Sequence, residues 1–359
     1  MNALDYAKAS CDTMMELYTP MTLPPEKGFH YHQGVFLSGM EKTFKLCGER
    51  KYADYIKAWV DKHVDENGVL HNCNTKTLDD FQPGILLYRL ADETGDIRYE
   101  KPMHMIIEHI KNWKVNEEGG YWHKFEFENQ MWLDGLYMAG PFTLLYANRF
   151  NEYELYDRVY KQLKLMHIHT TDEKTGLMYH GWDCSKKAEW ADPETGCSSE
   201  FWGRAMGWYA VATADIPDWL PKDYKNRQEI IDICTKLLKS LVKYQDAETG
   251  MWYQLVDKGN YEKNWIETSC SCLYTYAIAK AIRRGYLDES FSKYVDKAYE
   301  GIINFINFEN GRIKLPGVCI GTGIGDMDFY FERPTVDTDL HGMGAFILMC
   351  TEYYKFKNK

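Results

Sequence analysis

Helical periodicity extends over almost the whole 359-residue chain, and it constrains the fold more than any other feature. Apolar residues recur with the 3.6-residue period of amphipathic helices, whereas the alternation of a half-buried strand is almost absent. Turns and polar loops separate the helical segments and set their approximate ends. The predicted helices lie near residues 2–18, 30–47, 51–65, 83–94, 97–112, 132–149, 152–168, 199–213, 223–244, 267–285, 290–306 and 341–356.

A related turn recurs in five of the longer connections. It combines acidic residues or Asn with a Gly, and apolar and aromatic residues follow it, at a spacing of about 50 to 75 residues that is typical of a repeated supersecondary unit. The turns are DENGVLH at 65–71, NEEGGYWH at 116–123, DEKTGLMYH at 172–180, DAETGMWY at 246–253 and FENGRIKL at 308–315. Short turns separate the helices within each pair, so the chain is predicted to form six consecutive helical hairpins.

The two helices of each pair differ in composition. Those after long loops contain Gly, Ala and Ser, as in DGLYMAGPF at 134–142, whereas those after short turns have charged faces, as in YADYIKAWVDKHV at 52–64. Small residues suit helices crowded by neighbours, and charged faces suit solvent. Six inner and six outer helices predict an all-α fold, an (α/α)6 barrel, with an open solenoid of helix pairs as the alternative. No linker is evident, so residues 1–359 are expected to form a single domain.

Charge and cysteine content exclude several classes of function. With 53 acidic and 42 basic residues the formal net charge is −11, which argues against nucleic acid and anionic membranes as partners. The ten cysteines include no CxxC pair and fit neither a disulfide framework nor a zinc ribbon, so reduced thiols are expected. The N-terminal residues lack a signal-peptide pattern and no apolar run reaches membrane-spanning length. We therefore expect a cytoplasmic protein with no membrane partner.

Unusual polar and aromatic residues concentrate where the inner helices are predicted to begin. In a barrel of this kind the long loops emerge at one end, so these residues should surround a single pocket. Aromatic residues form 15% of the chain, and Trp and Tyr stack well on sugar rings, which suggests a glycan ligand. The amides and positive dipole ends of the inner helices favour an anionic ligand. The residues concerned are Tyr31, His32, Asp79, Asp80, His123, Lys124, Trp132, Asp134, His180, Trp182, Trp202, Arg204, Trp208, Glu267 and His341.

Each of these residues also has a purely structural interpretation. Asp134 lies between apolar residues, where it is either an N-cap or an acid that handles protons, and Asp79 is open to the same two interpretations. The histidines can be satisfied loop residues, and the tryptophans can belong to the core. Arg204 and Trp208 are four residues apart on one helical face and can simply stack. Their concentration at one end of the barrel is what favours a functional site.

Other catalytic chemistries lack their sequence motifs. There is no HExxH and no regular histidine spacing, so a metal site is not supported, and the GxSxG motif of a serine nucleophile is also absent. The segment VCIGTGIGDMDF at 318–329 contains closely spaced glycines, but no βαβ unit surrounds them. We interpret this segment as a loop at the rim of the pocket.

Four long motifs resemble those of the unsaturated rhamnogalacturonyl hydrolases of glycoside hydrolase family 105, which is related to the unsaturated glucuronyl hydrolases of family 88. The resemblance spans nearly the whole chain in the right order. It rests on QMWLDGLYMAGPF at 130–142, LMYHGWD at 177–183, WADPETGCSSEFWGRAMGW at 190–208 and YFERPTVDTDLHGMGAFIL at 330–348.

The resemblance implies an (α/α)6 barrel that acts on pectin-derived oligosaccharides already cut by a polysaccharide lyase. The lyase leaves a terminal uronic acid with a C4=C5 double bond. The enzyme hydrates this vinyl ether, and the product opens to a 5-keto uronate and releases the aglycone, typically rhamnose. Such an enzyme needs no cofactor, and its partner is a small oligosaccharide.

The resemblance also implies roles for individual residues. Asp134 would be the general acid and then the base toward water, with Asp79 as the second carboxylate, although Asp80 beside it is also open. Repulsion between the two carboxylates would keep Asp134 protonated near neutral pH. Arg204, together with Lys124, is the candidate for holding the uronate carboxylate. The resemblance implies that Tyr31, His123, His180, Trp202, Arg204 and Trp208 bind the substrate, and Lys124, Trp132 and His341 join them as expected substrate-binding residues from their predicted position at the same end of the barrel.

Three alternatives to this function remain. The same chemistry can act on unsaturated glucuronyl oligosaccharides. A sugar epimerase or a lyase on the same barrel would use a histidine pair or a Tyr/Arg proton relay, so that Asp134→Asn would matter little. A glycan-binding protein would bind the unsaturated disaccharide without converting it.

Overall fold

The computed structural model describes residues 1–358, and within them twelve helices of nine residues or more, together with one short helix, dominate the fold. None of these helices, in the part of the chain that is described, is long and apolar enough to cross a membrane. In chain order they are α1 (Ala3–Leu17), α2 (Tyr31–Cys47), α3 (Arg50–His63), α4 (Leu86–Thr94), α5 (Glu100–Lys111), α6 (Asp134–Phe150), α7 (Leu155–Thr170), α8 (Gly203–Asp215), α9 (Arg227–Leu241), α10 (Thr268–Arg283), α11 (Ser292–Phe305), the short α12 (Met327–Phe331) and α13 (Leu340–Lys357).

Six inner helices form a closed ring. α2 packs on the turn that leads into α4, and the contacts continue through α6, α8, α10 and α13 back to α2. The outer helices α1, α3, α5, α7, α9 and α11 pack around this ring. The predicted (α/α)6 barrel is therefore confirmed. An open solenoid is excluded, because α13 contacts α2 directly.

Burial explains the difference in composition between the two layers. Every residue of α8 is buried, since this helix has neighbours on all sides. The outer helix α3 buries one face, which includes Tyr52, Ile56 and Trp59, and leaves its charged residues toward solvent. Small residues allow the inner helices to approach closely. A Cβ on Gly344 of α13, for example, would lie 2.7 Å from backbone atoms of α2.

Six short strands form three two-stranded antiparallel pairs, none of which the sequence predicted. Strands of two or three residues are too short to show an alternating pattern. The pair next to the site joins β1 to β2 and places Trp132 opposite Gly181. The strands are β1 (Gln130–Trp132), β2 (Gly181–Asp183), β3 (Asn307–Glu309), β4 (Arg312–Lys314), β5 (Val318–Cys319) and β6 (Thr335–Val336).

The helix predicted near 83–94 begins differently from the prediction. Residues Leu78–Ile85 form an eight-residue 3-10 helix, and α4 starts only at Leu86. Pro83 lies inside this segment, and proline cannot donate the hydrogen bond that an α-helix interior requires. The 3-10 helix carries Asp79 and Asp80 at its first turn, where side chains can reach the end of the barrel.

The five predicted turns share one backbone feature. Each contains a glycine in the left-handed region, which side chains with a Cβ rarely adopt. A short antiparallel bridge flanks several of them, as between Val64 and Leu70 and between Val115 and Tyr121. The φ angles are +77° at Gly68, +82° at Gly119, +72° at Gly176, +74° at Gly250 and +79° at Gly311. The glycine of the recurring sequence pattern therefore has the same role in all five turns, although the turn at Gly311 joins the two strands of a hairpin.

Candidate active site

A cavity of about 410 Å³ opens at the end of the barrel where α2 and α6 begin. The 3-10 helix before α4, the segment before β1 and the loop after β5 complete its walls. The loop contributes Gly321, Thr322 and Gly323, which confirms that the glycine-rich segment lies at the rim. Of the candidate residues named from the sequence, Tyr31, His32, Asp79, His123, Lys124, Trp132 and Asp134 line this cavity.

Asp134 is the first residue of α6, and Leu133 occupies the cap position without a side-chain capping bond. The N-cap interpretation of Asp134 is therefore wrong. Its Oδ2 lies 3.3 Å from Nε2 of His180. The two atoms are buried but not aligned as a hydrogen bond, and neither has another hydrogen-bond partner among the described residues. Catalytic contacts of this kind are often loose in the free protein and tighten on binding.

Asp79, and not Asp80, faces the cavity. Its Oδ1 lies 3.3 Å from Nε2 of His123, and its Oδ2 lies 3.3 Å from Nζ of Lys124. A backbone bridge between Thr77 and Lys124 brings these residues together. Asp80 turns away and accepts a hydrogen bond of 2.7 Å from the backbone N–H of Asn74.

The three carboxyl groups differ in their preference for the charged form. Burial alone would raise the pKa of each. For Asp79 the charges of His123 and Lys124 outweigh burial and hold its pKa well below the usual range. For Asp80 burial dominates and raises the pKa to about 7.

The pKa of Asp134 in the free protein differs from the prediction that repulsion between the carboxylates keeps it protonated near neutral pH. Burial raises its pKa, but the contact with His180 and the charge of His123 outweigh burial, so the net shift is downward. The charge of Asp79 does act in the expected upward direction, yet it is the weaker influence. Burial also lowers the pKa of His180. Near neutral pH the free protein therefore holds an ionised Asp134 beside a neutral His180.

An aromatic wall flanks the carboxylates. The ring of Trp132 stacks on His123, with 4.5 Å between centroids and 12° between planes, and on Phe127 at 5.0 Å. Trp132 and His180 are in an edge-to-face arrangement, with 5.5 Å between their ring centroids. The backbone N–H of Leu133 donates to the carbonyl of His180, so the β1–β2 pair sets Trp132 and His180 side by side.

Arg204 does not line the cavity, contrary to its predicted role as a carboxylate ligand. Its Nη1 donates to the carbonyl of Cys319 at 2.6 Å, and its Nη2 donates to the carbonyl of Ile320 at 2.7 Å. Glu267 lies 3.7 Å from the same guanidinium, and its carboxylate accepts the backbone N–H of Cys319. Arg204 and Glu267 thus anchor the rim loop from behind, and Lys124 is the cation that lines the cavity.

Three other predicted substrate contacts lie behind the cavity wall. Trp202 is buried and stacks on His180 at 4.7 Å, whereas Trp208 stacks on Tyr137 in the barrel interior at 4.8 Å. For Trp208 the core interpretation is therefore the correct one. His341 is also buried, and its Nε2 lies 3.2 Å from the carbonyl of Cys319.

Within residues 1–358, one group has the composition of a metal site. The ligand atoms of His32, Asp339 and His341 lie within 4.8 Å of one another. Asp339 Oδ1 accepts the backbone N–H of His341 at 3.0 Å as the cap of α13 and lies 2.6 Å from His341 Nδ1. These contacts explain the arrangement as a helix cap.

Sequence reasoning missed several residues of the site. His30, Phe127 and Met138 line the cavity, and Tyr330 contacts His180 through its hydroxyl at 2.7 Å. His30 is next to the predicted Tyr31, so its position was available as a signal. Tyr330 lies 150 residues from His180 in the chain, and no local pattern links the two.

Comparisons with known proteins agree with this fold. The sequence model of Glycosyl Hydrolase Family 88 matches residues 6–357. A family 105 glycoside hydrolase structure from C. acetobutylicum ATCC 824 has a TM-score of 0.92 at 34% identity, covering 98% of this chain and 99% of that one. An unsaturated rhamnogalacturonyl hydrolase of Bacillus subtilis is 23% identical over 366 residues, which is 100% of this chain and 99% of its own length.

A more distant structure shares the fold. The unsaturated glucuronyl hydrolase of Bacillus sp. GL1 has a TM-score of 0.72 at 13% identity, covering 97% of this chain and 95% of that one. The full-length family match and the 34% identical structure carry the assignment. The chain therefore belongs to glycosyl hydrolase family 88, and it is a glycosidase.

Proposed function

We propose that the protein removes the terminal 4,5-unsaturated galacturonyl residue from lyase-generated rhamnogalacturonan oligosaccharides. The observation that carries this proposal is the pairing of Asp134 with His180 at one cavity that also holds the Asp79–Lys124 pair. The Bacillus subtilis relative is an unsaturated rhamnogalacturonyl hydrolase, and this supports the same class of substrate.

The proposed reaction is hydration of the vinyl ether. Asp134 gives its proton to C4, and the positive charge that develops is shared by C5 and the ring oxygen. Water then adds to C5 and returns a proton to Asp134, which acts as the base. The C5 hemiketal opens by breaking the bond from C5 to the ring oxygen. The resulting C1 hemiacetal expels the aglycone as an alcohol and leaves the 5-keto uronate.

Substrate charge explains how an acid with a lowered pKa becomes protonated. The uronate carboxylate adds a negative charge to a cavity that already holds Asp79, and like charges favour the protonated form of Asp134. Water excluded by the sugar strengthens this effect, because electrostatic interactions increase as the local dielectric constant falls. Proton uptake by Asp134 is thus part of substrate binding.

Lys124 is the proposed partner of the uronate carboxylate. Its ammonium group lines the cavity, and its side chain keeps 29% exposure, so it can contact both Asp79 and a ligand. The N-terminal ends of α2 and α6 also point their dipoles toward the cavity. The aromatic face of Trp132 and the ring of Tyr31 provide stacking surfaces for the sugar.

The decisive experiment follows the ultraviolet absorbance of the conjugated double bond in unsaturated galacturonyl-rhamnose. The wild-type protein should remove this absorbance, and Asp134→Asn should lower the rate by about 10² to 10⁴, as expected for loss of a general acid. Asp79→Asn should also reduce the rate strongly. Asp80→Asn is the matched control, since this neighbouring carboxylate faces away from the cavity, and it should retain activity.

The same assay separates the alternatives. Activity only on unsaturated glucuronyl oligosaccharides would indicate a different substrate for the same hydration reaction. An epimerase or a lyase would leave Asp134→Asn active on its own substrate. Binding of the disaccharide by the wild-type protein without loss of absorbance would indicate a glycan-binding protein.

A further inference from the structure

A buried chain of contacts connects Asp134 to the short helix α12. Nε2 of His180 lies 3.3 Å from Oδ2 of Asp134, and Nδ1 of His180 lies 2.7 Å from the hydroxyl of Tyr330. His180 and Tyr330 are both 0% exposed. The imidazole therefore has one protein partner on each nitrogen, with no access to bulk water.

The surroundings of Tyr330 determine which atom carries the proton between the two rings. A phenol has one proton to donate and lone pairs that accept. Burial raises the pKa of Tyr330 well above its usual value, so the phenol keeps its proton. On the other side of the imidazole, Nε2 faces Oδ2 of Asp134, and an ionised carboxylate can only accept, so Nε2 carries the ring proton and Nδ1 accepts from the Tyr330 hydroxyl.

We propose that Tyr330 is a positioning residue that fixes the tautomer of His180, with Nδ1 as acceptor and Nε2–H directed at Oδ2 of Asp134. This inference rests on the proposed function for its role in the reaction, but the tautomer itself is a property of the free protein. It deepens the proposed mechanism by assigning different tasks to the two oxygens of the acid.

The consequence for Asp134 is a division between its oxygens. Nε2–H of His180 faces Oδ2, and this contact tightens into a hydrogen bond when the substrate binds, so the transferable proton is held on Oδ1. After that proton reaches C4, the hydrogen bond from His180 stabilises the new carboxylate. No second proton transfer through His180 is needed. Asp134 loses one proton to C4 and regains one from the water molecule that adds to C5.

Packing keeps this arrangement in place. Trp202 stacks on the ring of His180 at 4.7 Å and on that of Tyr330 at 5.9 Å. The amide of Gln254 donates to the carbonyl of Tyr330 at 2.9 Å and holds α12 against the barrel. The rim loop that lines the cavity leads directly into α12, so the sugar-binding rim and the partner of His180 belong to one segment.

Other titratable and charged groups act on Asp134, His180 and Tyr330 from the neighbouring elements and remain unchanged in the tests below. They come from α2, the 3-10 helix, the segment before β1, the residues around the start of α8, and β5. They are Tyr31, Asp79, His123, Glu200, Arg204 and Cys319.

Nitrogen NMR of the histidine-labelled, substrate-free protein tests the tautomer directly. Spectra are taken near neutral pH, where the lowered pKa of His180 leaves its ring neutral, and the signals of His180 are assigned by comparison with His180→Gln. We expect the proton on Nε2 and a bare, hydrogen-bonded Nδ1. A proton on Nδ1 would overturn the proposal. Because no substrate is present, this result is independent of whether the proposed function holds.

Kinetics of Tyr330→Phe provide a second test, with Tyr209→Phe as the matched control. Tyr209 is also fully buried and donates one hydrogen bond, to the carbonyl of Leu163 at 2.8 Å, away from the cavity. Tyr330→Phe should lower kcat by about 10-fold to 100-fold, as loss of an outer hydrogen-bond partner does at other catalytic sites, with KM changed by less than about twofold.

The pH profile separates positioning from simple loss of packing. A weaker hydrogen bond from His180 removes an influence that lowers the pKa of Asp134. The high-pH limb of kcat/KM should therefore move to higher pH in Tyr330→Phe and stay in place in Tyr209→Phe. Identical profiles and equal rate losses in the two variants would contradict the proposal.

Discussion

At the scale of single residues, the ionised state of Asp134 in the free protein has a kinetic consequence. The value of kcat/KM follows the free enzyme, whereas kcat follows the complex. Because the pKa of free Asp134 is lowered, the protonated fraction decreases as pH rises, and kcat/KM should fall steadily from pH about 5 to about 8. In the proposed complex the negative charge of the uronate raises that pKa, so kcat should decline only at higher pH. Rate measurements across this pH range test both statements. If kcat and kcat/KM declined over the same pH range, both would be contradicted.

Asp80 allows a prediction about stability. Its pKa is raised to about 7 in the folded protein, against about 3.9 in an unfolded chain. The folded state therefore binds more protons between these values, and stability falls as pH rises through this window. In Asp80→Asn the neutral amide resembles the protonated carboxyl group, and its oxygen can still accept the hydrogen bond from the backbone N–H of Asn74. Its gain in unfolding free energy over the wild type should grow by up to about 1.4 kcal/mol per pH unit from pH about 4 to about 7.

Denaturant unfolding at several pH values measures this gain. At pH about 4 the variant and the wild type should be nearly equal, because Asp80 is protonated in the folded protein and half protonated in the unfolded chain. A gain that is constant with pH would show that the charge of Asp80 is not its cause.

At the scale of elements, the contact between α13 and α2 closes the inner ring, and it depends on a glycine, Gly344, at the point of closest approach. A Cβ at Gly344 would lie 2.7 Å from the backbone of Val35 and Phe36, which cannot move without shifting α2. Gly344→Ala should therefore destabilise the protein by about 1–3 kcal/mol through overpacking. Calorimetry should show a lower Tm and, since α2 carries Tyr31, a weaker affinity for substrate.

Gly140 in α6 is the matched control for this prediction. A Cβ there would meet Val159 at 3.5 Å and Leu136 at 3.7 Å, which are ordinary contacts. The next residue is Pro141, whose ring disfavours helical backbone at a preceding residue that has a Cβ. This cost offsets the lower backbone entropy of alanine, so Gly140→Ala should change the unfolding free energy by less than about 1 kcal/mol. Equal destabilisation by both substitutions would show that close approach is not what distinguishes Gly344.

The elements also show what the sequence can and cannot predict. The periodicity of α3 and the glycine turns gave the helix pairs correctly, because one-sided burial and left-handed backbone leave a local signature. In α8 every residue is buried, so no polar face distinguishes cavity from core. For this reason Arg204 and Trp208 were assigned to the substrate, although one anchors the rim loop and the other packs in the interior. The contact of Tyr330 with His180 depends on the closed ring and has no local signature.

At the scale of the whole molecule, the outer helix α1 covers the seam where the ring closes. It packs on both α13 and α2, and Met14 is buried in this contact with 1% exposure. Met14→Ala should lower the unfolding free energy by about 2–5 kcal/mol. Because the barrel has one continuous core, circular dichroism and tryptophan fluorescence should report the same lower midpoint. Activity at low temperature should remain, since Met14 is absent from the cavity lining. Separate transitions would show that the seam unfolds on its own.

Residues that are far apart in the chain line the same cavity, and this separation determines when the cavity can form during synthesis. Tyr31 leaves the ribosome long before Gly321–Gly323 and Tyr330. A nascent chain that has released only the first five hairpins contains both carboxylates but lacks the rim loop and the partner of His180. The cavity therefore cannot form until the chain has been synthesised past Tyr330, and chains that stop before the last hairpin should be unable to perform the proposed reaction.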